Sequence, residues 1–344
     1  MGAHAVAVDR LARGDPMPSS HECASARAKS LLLFAGAALF SASLCSCSSA
    51  RPGSYALTTV VNEGGSILAV VGDTVFYVHS QLDISSVPAQ GGQPTRLYRK
   101  TDKFELPLEL VVDADFIHWS DVGLNRLMRM RRADGHLEVT TLSPHAAGLA
   151  ISAGRLYWAS ATGEMGRVRE DGTDPETLKG LGKLAALTAD GDVALATDLT
   201  GPAGPHQRLI LASFDRRTIS VIADDLENPG RAALTGPFVY FGVGTDEGGE
   251  LRRVARDGTG MTTLARVPMG VVAITDGHRD DLYFATFGRS VERSGEAALY
   301  RHDLRSHRTE VVAEHLSYPQ QLVATADGVY WIERDRIGRA IRTR

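Results

Sequence analysis

Six polar residues stand out as candidates for binding chemistry: Asp198 and His206, Asp246 and Glu247, and Arg289 and Glu292. They fall in three long connecting stretches, 198–207, 242–249 and 286–296. Carboxylates, an imidazole and a guanidinium carried on long loops of a rigid scaffold suit recognition of a polar ligand; solvated, variable loops are the competing reading. His302 and His307 lie five apart near Asp303, a spacing that puts the two rings on opposite faces of a strand, so a shared metal is not expected. His118 occupies an aromatic slot and reads as a packed histidine. The chain holds no Gly-x-Ser-x-Gly elbow, His-Glu-x-x-His helix, phosphate loop or EF-hand spacing. Its glycine-rich 242–249 stretch reads as a flexible turn, and its repeated Asp-Gly pairs are turn chemistry. No catalytic residue, metal site or cofactor is assigned.

The elements that must position these residues are short strands. Leu156-Tyr157-Trp158 is rich in side chains that fit a pleated surface. Gly166 to Glu170 alternates small or apolar with charged residues, Asp171-Gly172 supplies a two-residue turn, and Thr177-Leu178 continues as a third strand. Copies begin at Val75-Phe76-Tyr77, Ile117-His118-Trp119, Val239-Tyr240-Phe241, Leu282-Tyr283-Phe284 and Val329-Tyr330-Trp331. A degenerate one, Ala194-Leu195-Ala196, has lost its aromatics. With positions 77, 119, 158, 196, 241, 284 and 331 as a ruler, the spacings run from 38 to 47 residues. A period near 40–45 with about four strands per unit is that of propeller blades.

Before each aromatic pair lies an apolar run, such as Ile67-Leu68-Ala69-Val70-Val71 or Val271-Val272-Ala273-Ile274, as expected for an innermost strand covered on both faces. Glu109 is the main polar exception. The last copy ends at its third strand, whereas Tyr55-Ala56-Leu57-Thr58-Thr59-Val60-Val61 matches the outer strands elsewhere. The expected architecture is therefore all-β: a seven-bladed propeller over 55–344, closed by its N-terminal strand, with six blades as the alternative. Closure of this kind removes exposed sheet edges.

Residues 1–46 read as a signal peptide with an extended leader, in which Met17 is a second plausible start. Arg27 and Lys29 precede an apolar run over 31–44, too short for a comfortable membrane span. Leu44-Cys45-Ser46-Cys47 resembles the bacterial lipoprotein processing box. The resemblance implies cleavage before Cys47 and lipid attachment there, with 47–54 as a lipidated tether; a plain secretory signal is the alternative. Cys23, Cys45 and Cys47 are the only cysteines, so no disulfide within the processed chain is expected. The formal net charge is −4, and removing 1–46 takes away four basic and three acidic residues, leaving −5. A mildly acidic chain without a clustered basic face does not suit nucleic acid.

At Tyr157-Trp158, Gly166-Arg167-Val168-Arg169, Asp171-Gly172 and Thr177-Leu178 the sequence resembles the YWTD-type propeller repeat of lipoprotein receptors, and still more the bacterial envelope lipoprotein propellers that share the pattern. YWTD propellers have six blades, against seven units here, and Ala159-Ser160 stands where Thr-Asp is expected. The resemblance covers most of 55–344 and bears on architecture, because the recurring residues are packing and turn residues.

The expected protein is a monomeric, exported cell-envelope lipoprotein, of the outer membrane and facing periplasm or surface, without a cofactor. Its partners would be the membrane, through the lipid, and a protein or glycan bound without catalysis. The alternatives are a propeller enzyme of lyase, lactonase or hydrolase type, with its site at the mouth of the central channel, and a passive structural part of an envelope assembly.

Overall fold

Seven ruler positions, Tyr77, Trp119, Trp158, Ala196, Phe241, Phe284 and Trp331, are all buried, each on the second strand of a four-stranded antiparallel sheet. The computed structural model describes residues 55–79, 82–142, 145–200, 206–227, 229–245, 247–277, 280–287 and 295–343. Among them are seven such sheets and no helix. Blade 1 spans 65–98, blade 2 107–142, blade 3 146–179, blade 4 184–227, blade 5 233–267 and blade 6 271–316. Blade 7 comprises 321–342 together with Tyr55–Val61. The leader 1–46, the tether 47–54 and Cys47 lie outside the described residues.

The N-terminal strand does complete blade 7. It pairs antiparallel with Ile337–Arg342, Ala56 facing Ile341, Thr58 facing Arg339 and Thr59 facing Gly338. The Tyr55 hydroxyl reaches on to Glu310 Oε1 of blade 6 at 3.2 Å. The ring thus closes on hydrogen bonds between the two ends of the fold.

Packing follows the same sevenfold plan. Each of seven apolar clusters joins two neighbouring blades, including the seam between blades 7 and 1, where Val60, Tyr330, Ile332 and Ile337 meet Leu68, Val75, Tyr77 and Val87. Burying side chains of this size contributes about 1.5–3 kcal/mol each, and no blade could do so alone. Blade 4 shows how the degenerate copy survives. Phe214, from the turn between its third and fourth strands, fills the space left by the small Ala194 and Ala196 and meets Tyr157 edge-on at 5.6 Å.

Turn chemistry behaves as the residues dictate. Gly135, Gly172 and Gly258 of the Asp-Gly turns adopt φ of 72°, 86° and 84°, a region that side chains disfavour. Asp171 Oδ1 and Asp257 Oδ1 accept from the backbone N–H two residues on, at 2.9 Å in both cases.

Two expectations need correction. The 242–249 stretch is not a long loop: strands Phe238–Thr245 and Gly248–Ala255 pair along their full length, from Phe238 facing Ala255 to Thr245 facing Gly248. Its glycines serve close packing, since a Cβ on Gly242 would stand 2.2 Å from Val271 Cγ1 and one on Gly249 2.2 Å from Met269 O. The rings of His302 and His307 are not kept apart by a strand either. A turn intervenes after Asp303, bringing them to 6.4 Å between centroids.

Candidate ligand-binding face and channel

One face of the ring carries the connections between second and third strands and those from each outer strand to the next inner strand. The position two residues past the ruler is where these connections are anchored. It holds His79, Asp121, Ser160, Asp198, Val243, Thr286 and Glu333, six of them polar. Asp121 is buried, accepts from Leu106 N at 3.0 Å and Leu124 N at 3.2 Å, and pairs with Arg126. Glu333 accepts from Trp331 Nε1 at 2.8 Å and Arg336 Nε at 2.7 Å, and also from Ser317 N. Buried carboxylates so placed hold otherwise unpaired loop N–H groups.

Asp198 belongs to this set. It has no exposed surface, accepts from Thr200 N and Oγ1 at 2.9 and 2.6 Å, and pairs with Arg208. Burial alone would raise its carboxyl, but the Thr200 bonds and Arg208 hold it below the usual carboxylate range. Its acceptor capacity is thus taken up inside the blade. Glu247 is exposed in the turn of blade 5. His206 opens the strand His206–Ser213, its backbone opposite Glu227. Asp246, Arg289 and Glu292 lie outside the described residues.

A different feature of this face escaped the sequence reading. Along the connection from blade 1 into the first strand of blade 2, Phe104, Leu106 and Leu108 are 58%, 42% and 41% exposed, while the alternate residues Glu105, Pro107 and Glu109 are buried. Apolar side chains point out and acids point in, the reverse of an ordinary half-buried strand. The inward acids are satisfied. Glu105 accepts from Thr101 N at 2.7 Å and from Arg126 at 3.1 Å. These bonds, with those from Asp102 N and Tyr98, outweigh burial and hold its carboxyl below the usual range. The Lys103 ammonium lies 5.0 Å from the Phe104 ring centre. The alternation of Phe104-Glu105-Leu106-Pro107-Leu108-Glu109 was visible in the sequence; only its direction was not.

The channel carries more polarity than Glu109 alone. By register, Glu109 of blade 2, Arg231 just ahead of the inner strand of blade 5, and Gln321 of blade 7 occupy one level. Arg231 donates to Glu109. Blades 2 and 5 are as far apart as two blades of seven can be, so this ion pair crosses the axis. Gln321 Oε1 accepts from Leu68 N at 2.9 Å and stitches blade 7 to blade 1. No histidine shares this level. Among the described residues no group of three or more His, Cys, Asp or Glu is placed to hold a metal ion.

Fold and site together define a seven-bladed β-propeller with a loop-bearing face and an axial ion pair. No family model matches the chain, and no curated protein matches it. Solved structures do. A virginiamycin B lyase from Staphylococcus aureus superposes with a TM-score of 0.66 at 16% identity, covering 83% of this chain and 98% of that one. A streptogramin B lyase gives 0.65 at 14%, covering 84% and 98%. A chain of the nidogen/laminin complex gives 0.51 at 12%, covering 71% and 94%. Identities this low support the propeller architecture and leave the activity open.

Proposed function

We propose that this chain is a lipid-anchored cell-envelope propeller that binds a protein or glycan through its loop-bearing face, without catalysis. The observation that carries the reading is the inverted alternation at 104–109. Three exposed apolar side chains beside a channel mouth are what a partner surface would cover, and a rigid, ring-closed scaffold limits the ordering cost of binding. A protein partner suits Phe104, Leu106 and Leu108 better than a glycan does. Anchorage rests on Cys47 and the apolar run before it.

The test places a photo-crosslinking residue at Phe104 or Leu108 in cells, with Asp134 on the opposite face as control. A discrete adduct from the first two positions and none from the third is expected. No adduct, or the same adducts from all three, would overturn the reading. Labelled palmitate should enter the protein and be lost in Cys47→Ser.

A lyase is the second reading, favoured by the two lyase structures that this chain covers almost completely. Incubation with virginiamycin B, followed by chromatography, decides it: loss of the parent compound above a no-protein control is the outcome that supports catalysis.

A further inference from the structure

Most connections from an outer strand to the next inner strand are three to five residues long; the one between blades 1 and 2, 99–106, has eight. The extra length is fixed in place. Lys100 N donates to Asp83 Oδ1 at 3.3 Å, and Thr101 N and Asp102 N donate to Glu105 Oε2 at 2.7 and 3.3 Å. Phe104 N donates to Asp102 Oδ1 at 2.9 Å and Leu106 N to Asp121 Oδ1 at 3.0 Å. A backbone pinned at so many points presents its outward side chains in a preset arrangement, which lowers the ordering cost of binding.

Charge is sorted here as one-sidedly as polarity. The acids of the region are engaged within the fold: Asp83 pairs with Arg96, Glu105 and Asp121 with Arg126, and Glu109 with Arg231. Arg99 and Lys103 are exposed and Lys100 is half-buried. None of the three is ion-paired with a carboxylate among the described residues, and Lys103 meets only the Phe104 ring. Asp102 is the one exposed acid within 99–109. On a chain of net charge −4, this segment presents three unpaired cations beside Phe104, Leu106 and Leu108.

We infer that the partner of this face is a protein presenting an acidic, apolar segment, with its apolar side chains on Phe104, Leu106 and Leu108 and its carboxylates against Arg99, Lys100 and Lys103. The inference rests on the binding role proposed above for the same surface. Burial of apolar area supplies the attraction, and the cations select its sign, since a basic segment would bring like charges together. Anionic lipid carries the same sign of charge, but position favours a protein. Outer strands run towards the loop-bearing face, so Tyr55 enters blade 7 at the opposite one. A lipid ahead of Tyr55 therefore joins the fold at the face from which this surface is turned away.

Fluorescence anisotropy of the full chain with two labelled peptides tests it, leucine alternating with glutamate in one and with lysine in the other. The glutamate peptide is expected to bind saturably and about tenfold tighter than the lysine peptide. Its affinity should fall about tenfold in Lys100→Glu/Lys103→Glu, and weaken as sodium chloride rises from about 50 to about 500 mM. Lys183→Glu, at an exposed cation between blades 3 and 4, should leave it unchanged. Melting curves confirm that each variant is folded, and Arg99→Glu serves should the double variant fail to fold. No binding, equal binding of both peptides, or affinity indifferent to charge reversal would overturn the inference. So would sedimentation with phosphatidylglycerol vesicles that charge reversal abolishes, because the surface would then belong to lipid. In cells, an adduct at Phe104 that survives charge reversal leaves the binding role standing and removes the acidic partner; no adduct in the parent protein removes both.

Discussion

Gly166 lies directly against the indole of Trp158: a Cβ there would stand 2.0 Å from Trp158 Cζ2. The two residues are cross-strand partners in blade 3, and blade 7 repeats the relationship with Gly338 beneath Trp331 at 2.2 Å. The tryptophan lies over the neighbouring strand, and only a glycine leaves room. Trp119 faces Met128 instead and packs on Tyr98 at 5.0 Å between ring centres, because a thioether chain can bend aside.

Gly166→Ala and Gly338→Ala are therefore expected to destabilise the fold by about 1–3 kcal/mol each, through overpacking. Gly244→Ala, where an added Cβ meets nothing within 4 Å, should stay within about 0.5 kcal/mol of the parent. Urea denaturation followed by tryptophan fluorescence measures all three.

Removing Tyr55–Val61 should open the ring. The strand Ile337–Arg342 would become a bare edge, and Val60 would leave the seam between blades 7 and 1. The expected result is a lower melting temperature together with concentration-dependent association, read by light scattering. A truncated chain that melts like the parent and stays monomeric would show that the latch is dispensable.

His302 supplies a pH dependence. It is buried, its Nδ1 lies 2.9 Å from Thr309 Oγ1, and burial followed by the charge of His307 lowers its pKa to about 4. Unfolded, the ring titrates near 6.5, so between pH 6.5 and 4 the unfolded chain binds more protons than the folded one. The contribution of neutral His302 is complete above pH 6.5, declines as pH falls, and is gone below about 4, a loss of order 3 kcal/mol. His302→Gln should flatten this part of the stability curve, measured as urea midpoints from pH 7 to pH 4.

Asp121→Ala would strand two loop N–H groups and leave Arg126 with Glu105 alone, so a loss of about 2–4 kcal/mol is expected. Asp198→Ala should behave alike, because Thr200 and Arg208 lose the same kind of partner. Hydrogen exchange should then rise at Leu106 and Leu124 in the first variant and at Thr200 in the second. Unchanged exchange would mean that these carboxylates do not hold the loops.

The aromatic pairs, the Asp-Gly turns and the spare Thr-Thr strand at 55–61 were legible in the sequence because each reports a local constraint: a pleated surface, a positive φ, an outer strand missing from the last copy. Their spacing alone yielded seven blades and the closing latch. Other features depended on how distant segments meet. Asp198 looked like a loop residue until its neighbours enclosed it, and Gly242 looked like a turn until Val271 came within reach. The outward direction of Phe104, Leu106 and Leu108 depended on where blade 2 sits in the ring. Arg231 meets Glu109 across 122 positions of chain, a separation at which strand periodicity carries no information. Local stereochemistry thus settles which strands form and how many, while closure of the ring decides which polar groups face one another across its axis.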